Sequence, residues 1–115
     1  MKLLSVLVLI PLILIGAGSS FAADLTGTWQ SVEYYRNGKI LPEMVGKARY
    51  EFLDDGTYTH KMGPWLTAKG TYEVRDDRVE LTSDIGARID LRREEDALVV
   101  ENPTTGLKII YSKTE

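Results

Sequence analysis

The chain contains no cysteine, one histidine, and after position 22 no apolar run long enough to cross a bilayer. Each absence removes a class of answer. Without cysteine there is no disulfide framework, no thiolate nucleophile and no acylated anchor, so stability must come from packing and strand pairing. One histidine and no cysteine cannot assemble the usual zinc ligand set. An excess of basic residues is also missing, at 14 Lys+Arg against 17 Asp+Glu. That argues against nucleic acid, whose recognition needs a basic footprint, and against an anionic membrane surface.

What is present begins with an export signal. Lys2 supplies a positive start, and Leu3 to Ile15 is apolar apart from Ser5. Gly16, Gly18, Ser19 and Ser20 then loosen the chain, and Ser20 with Ala22 fits the small-x-small rule for cleavage after Ala22. The apolar stretch is about 15 residues, short of the ~20 that a spanning helix needs. The expected product is a periplasmic or secreted protein with no stable membrane anchor. Residues 1–22 are the signal peptide and 23–115 one small domain. Lys2 is the only charge in the signal, so 13 Lys+Arg remain against 17 Asp+Glu, a net charge of about −4.

Turn signals punctuate the rest at short, regular spacing: Asn37-Gly38, Asp54-Asp55-Gly56, Gly63-Pro64, Arg75-Asp76-Asp77, Ser83-Asp84, Glu94-Glu95-Asp96 and Pro103 to Gly106. Between them lie runs rich in Val, Ile, Tyr and Thr with period-2 alternation. Ala48, Tyr50 and Phe52 oppose Arg49 and Glu51; Ala87, Ile89 and Leu91 oppose Arg88, Asp90 and Arg92. Such runs read as strands with one dry face. Eight are expected: Thr26–Tyr35, Lys47–Leu53, Thr57–Lys61, Leu66–Val74, Arg78–Thr82, Ala87–Arg93, Ala97–Glu101 and Leu107–Lys113. Short connections favour neighbour-to-neighbour hairpins, hence an all-β antiparallel meander. Closing it into an up-and-down barrel removes both edges; an open β-sandwich is the alternative. Gly70, inside a strand pattern, suggests a bulge or bend.

Leu25-Thr26-Gly27-Thr28-Trp29 resembles the Gly-x-Trp opening of lipocalins. Tyr50 to Tyr58, with its Asp-Gly-Thr-Tyr turn, and Gly70-Thr71-Tyr72-Glu73-Val74 resemble, in the same order, the short bacterial lipocalin-like domains. The resemblance covers nearly all of 23–115. It implies a barrel closed near Gly27 and Trp29, with an open mouth for a small apolar ligand. The chain is much shorter than a full lipocalin and lacks the C-terminal helix and a late arginine to stack on the tryptophan. Lys108 or Lys113 is available for that place.

In a meander the connections alternate between the two ends. One set is tight and acidic: Asp54-Asp55-Gly56, Arg75-Asp76-Asp77 and Glu94-Glu95-Asp96. The other holds Ile40, Leu41, Pro42, Met44 and Val45 in the first connection, and Met62, Gly63, Pro64 and Trp65 in the third. Pro42 is placed to start one helical turn, forming a lid. Apolar side chains in loops mark either the plug of a small barrel or a contact site. The candidate binding set is Ile40, Met44, Tyr50, Tyr58, His60, Met62, Trp65 and Tyr72. If Tyr58 points inward, so does His60, two residues on. The acidic turns lack EF-hand spacing. No serine lies in a nucleophile elbow, and no carboxylates are placed to converge across a cleft, so no enzyme, metal or cofactor is expected. Two functions remain: a carrier of a small apolar or amphipathic ligand at the rim of 37–46 and 62–65, or a solid barrel that meets a protein partner there.

Overall fold

The computed structural model describes residues 24–114. The expected signal peptide and its cleavage point after Ala22 lie outside the described residues. Nine strands follow in order: β1 (Gly27–Arg36), β2 (Lys39–Ile40), β3 (Ala48–Phe52), β4 (Thr57–Met62), β5 (Trp65–Arg75), β6 (Arg78–Ser83), β7 (Arg88–Glu94), β8 (Ala97–Asn102) and β9 (Leu107–Lys113). A 3-10 turn spans Pro42–Met44. All pairings are antiparallel between neighbours, and β9 returns to β1 with Trp29 opposite Lys113 and Arg36 opposite Leu107. The eight expected strands close into an up-and-down barrel rather than an open sandwich. The ninth, β2, is a two-residue addition that folds back on β1, with Tyr35 opposite Ile40.

The alternation sets the core. Tyr50 lies opposite Trp29 and His60, Phe52 opposite Tyr58, Tyr72 opposite Leu81, and Leu98 opposite Tyr111. Each pair puts both side chains on the inner face. Trp29, Tyr34, Tyr50, Phe52, Tyr58 and Tyr111 are all buried there. An eight-stranded barrel has an interior just wide enough for side chains, and these rings occupy it as a packed column. Tyr50 stacks on Phe52 at 5.5 Å and tilts against Tyr111 at 5.1 Å, and Phe52 meets Tyr72 edge-on at 5.1 Å.

One end is sealed. Leu25 is fully buried beneath the barrel, and Trp29 Nε1 donates to its carbonyl at 2.8 Å. Lys113 Nζ donates to the Asp24 carbonyl, so Lys113 rather than Lys108 lies at the Trp29 end. Gly27 has φ +128°, and a β-carbon there would press on Lys113 Cε at 3.0 Å, so both backbone and space call for glycine. Tyr72 Oη donates to Leu53 O at 2.6 Å, and Asp55 Oδ1 accepts from Thr57 N and Oγ1 at 3.0 and 2.6 Å, shaping the acidic turn.

Gly70 is not a bulge. The irregularity falls between His60 and Lys61, and Gly70 instead pairs with Tyr58 on one side and Ser83 on the other. A β-carbon on it would lie 2.0 Å from the Thr82 carbonyl oxygen, so β6 approaches too closely for any side chain.

Candidate functional site

The two oily connections do meet at the end opposite the acidic turns. Gly63 N donates to Lys47 O at 2.8 Å, joining the β4–β5 turn to the end of the first connection. The 3-10 turn of the first connection is stapled to β1 by a serine to which the sequence alone assigns no role. Ser31, 1% exposed, donates from Oγ to Met44 O at 3.2 Å and accepts from Gly46 N and Ala48 N at 3.1 and 3.2 Å. Gln30 Nε2 adds a bond to Gly46 O at 2.8 Å. A small polar residue alternating with Trp29 on an inward face was the available signal.

Apart from His60, the candidate residues separate into three groups. Met44 and Met62 are half-buried and packed against the core beside Leu41; they stopper this side of the mouth. Tyr50 and Tyr58 are core, and Tyr72 sits by the sealed end, bonded to Leu53. Ile40 and Trp65 are exposed, Trp65 to 73%. Ile40 faces outward because it lies opposite outward Tyr35, while Leu41, bonded through its N–H to Tyr34 O, packs inward instead. The eight residues therefore do not line one pocket.

His60 sits between core and mouth. Its ring lies 4.3 Å from that of Tyr50. Thr67 Oγ1 lies 2.6 Å from Nδ1 and 3.1 Å from His60 O, within hydrogen-bond reach of both. Nε2 shares a hydrogen bond with Tyr111 Oη at 3.4 Å. Burial lowers the imidazole pKa to about 4, keeping the ring neutral, and burial raises the Tyr50 and Tyr111 phenols well above their usual range. This is a structural polar link across the upper core. Among the described residues no three His, Asp or Glu side chains converge to hold a metal ion.

The opening lies elsewhere on the same rim. β7 and β8 pair only through Arg92–Val99, Arg93–Leu98 and Glu94–Ala97, all near the sealed end. If the register continued, Asp90 would face Glu101, two like charges, and Arg88 would face Pro103, which has no N–H to give. The strands part there instead. A groove of about 480 Å3 cuts the wall, lined on the inner side by Ile89, Val100 and Leu107 and on the outer side by Arg88, Asp90 and Glu101. Ile89 lies opposite core residue Leu81 yet is 40% exposed, because nothing covers it through the gap. Val100 and Leu107 pack against the core from the other lip. A second groove, of about 460 Å3, runs over the outer face by Tyr35, Pro103 and Lys108 and does not use these inward side chains of β7 and β8.

The architecture has solved counterparts. The chain superimposes on an uncharacterised protein from Bacteroides eggerthii with a TM-score of 0.56 and 16% identity, over 78% of this chain and 99% of that one. It also superimposes on a DUF4847 family protein from Bacteroides vulgatus with a TM-score of 0.52 and 14% identity, over 79% and 96%. At that identity the likeness concerns the fold alone. No family model matches the sequence, and no curated protein matches it. The lipocalin-like resemblance thus rests on the barrel and on the motifs already quoted.

Proposed function

We propose that the protein is an exported binding module that holds a small amphipathic molecule in the gap between β7 and β8. The observation that carries this reading is the groove itself. Its volume, about 480 Å3, falls within the ~300–1,000 Å3 of ordinary ligand pockets. It exposes the inward face of β7 through Ile89, while charged side chains frame its outer lip. A molecule with one apolar and one polar end matches that division. The aromatic column already fills the lumen below, so the ligand lies in the wall rather than deep inside. This shifts the binding place from the 37–46 and 62–65 side of the rim to residues 88–90 and 100–107.

Native mass spectrometry of protein recovered from the envelope or medium of the producing cell tests the reading. The expected result is a mass starting at Ala23 with a small adduct. Ile89→Asp, which puts a charge on the apolar lip, should remove the adduct and leave the fold intact. An unmodified mass in the wild type counts against a ligand; a mass that includes residues 1–22 counts against export.

One observation favours a second reading, a protein-contact module. Trp65 and Leu66 are 73% and 54% exposed on the β4–β5 hairpin, and β5 extends past the end of β6, which pairs only from Gly70 onward. Large exposed aromatics of this kind anchor interfaces. Capture of a defined partner by the wild type and not by Trp65→Ala would favour this reading.

A further inference from the structure

We infer that the groove between β7 and β8 selects an amphipathic anion, a single apolar chain ending in a carboxylate, with Arg88 as the residue that reads the charge; this rests on the binding function proposed above. The argument is one of local charge. Three carboxylates lie along the groove, which at first sight invites a cation. Each is already answered by an arginine. Glu80 is held by Arg75 Nε at 3.0 Å, Glu101 by Arg92 Nη2 at 3.1 Å, and Asp90 faces Arg78 Nη1 at 3.9 Å. Lys108 also stands opposite Glu101 across the β8–β9 pairing. Among the described residues no acidic side chain pairs with Arg88, which lines the groove on β7 opposite Thr82. The unanswered charge of the lip is therefore positive.

A second donor stands across the gap. Asn102 lines the opposite lip, and its Oδ1 already accepts from Thr104 N at 3.1 Å. That leaves the Nδ2 amide protons to donate outward. A guanidinium fork and an amide donor on facing lips suit a planar carboxylate, which accepts only. The chain of such a molecule would cover Ile89, Val100 and Leu107, the apolar inner lining. The strand backbone contributes to the same site. Arg93 N donates to Asp77 O, in the turn just before β6, so by alternation the backbone groups of Asp90 and Arg88 point toward the gap, where β8 does not meet them.

The test compares decanoate, decylammonium and decanol below their aggregation limits, by amide shifts in two-dimensional NMR of the barrel. Decanoate should move the amides of 88–91 and 100–107 and bind at least tenfold tighter than decylammonium. Arg88→Gln should weaken decanoate about tenfold and leave decanol unchanged, while Arg49→Gln, an exposed change on β3, should alter nothing. Equal binding of the three head groups in the groove, or a tighter decylammonium, overturns the anion assignment and leaves the binding function standing. If none of the three moves the groove amides, the binding function falls and the assignment falls with it.

Discussion

Two seams hold this barrel shut, and they differ. β1 and β9, from opposite ends of the domain, pair over seven register positions from Trp29–Lys113 to Arg36–Leu107. β7 and β8, joined by a tight turn, pair over three and then separate. Chain proximity favours the second seam, since a two-residue turn costs far less closure entropy than a link across the domain. The side chains decide otherwise. Along the first seam, Tyr111 lies opposite Ser31 and Ile109 opposite Tyr34, all buried. Along the second, Asp90 would meet Glu101 and Arg88 would meet Pro103. A strand pair extends only as far as its facing residues tolerate each other, and the place where they do not becomes the opening.

The largest expected effect lies on the long seam. Tyr111 is 1% exposed and its ring touches Tyr50 and His60. Tyr111→Ala should cost ~3–5 kcal/mol, enough to bring a small domain close to unfolding. Val100→Ala, on the lip of the short seam, removes less volume from a side chain that solvent already reaches, and should cost about 1 kcal/mol. Urea midpoints of the two variants measure the contrast, and equal losses would erase it. Gly70→Ala comes next, at about 3 kcal/mol, because the added carbon meets the Thr82 carbonyl rather than a movable side chain. Its destabilisation should come with loss of amide protection along the β5–β6 pairing first.

The long seam was legible in the sequence and the short one was not. Alternation in Leu107-Ile109-Tyr111 is enough to place β9 and its inner face, and the acidic turns fall where their residues say. The two oily loops were likewise placed correctly at one end. What did not show was which apolar loop residues turn inward. Ile40 and Leu41 are neighbours of similar hydropathy, and only the register of β2 on β1 sends one out and the other in. The groove was hidden for a different reason. It falls where a continued register would set Asp90 against Glu101, a juxtaposition that appears only once the turn at Glu95-Asp96 fixes the register. Each residue alone reads as ordinary surface charge.

The polar link across the upper core offers a pH test of the well-packed side. Burial lowers the His60 pKa from 6.5 to about 4. Between those values the unfolded chain binds a proton that the folded one refuses, so stability is full above pH ~6.5 and declines as pH falls toward 4. The shift sets an upper bound of ~3 kcal/mol, and solvent reaching the half-buried ring reduces the expected loss to about 1–2 kcal/mol. Thermal melts of wild type and His60→Gln at pH 7.5 and 4.5 measure it. The variant should lose this component of the pH dependence, and an unchanged slope would mean that the imidazole is better solvated than its neighbours Tyr50 and Thr67 imply.

The smallest effect sharpens the comparison most, because it asks whether the short seam can be made long. Continuing the register of Arg92–Val99 pairs residue 90 with residue 101 and residue 88 with residue 103. Alternation from Arg93 directs the backbone N–H and C=O of residues 88 and 90 at β8, so each lacks only a willing partner. Asp90→Thr removes the like-charge encounter with Glu101 and raises strand propensity, and Pro103→Val supplies an N–H for the Arg88 carbonyl. The double variant should gain about 0.5–1 kcal/mol, since each new ladder bond adds little beyond the water bonds it replaces. Slower hydrogen exchange at residues 90 and 101 would report closure, and decanoate should then lose its site. If exchange there stays fast in the double variant, charge and proline are not what holds the lips apart. The cause must then lie in the inner layer, where Ile89 and Val100 would have to displace one another to let the strands meet.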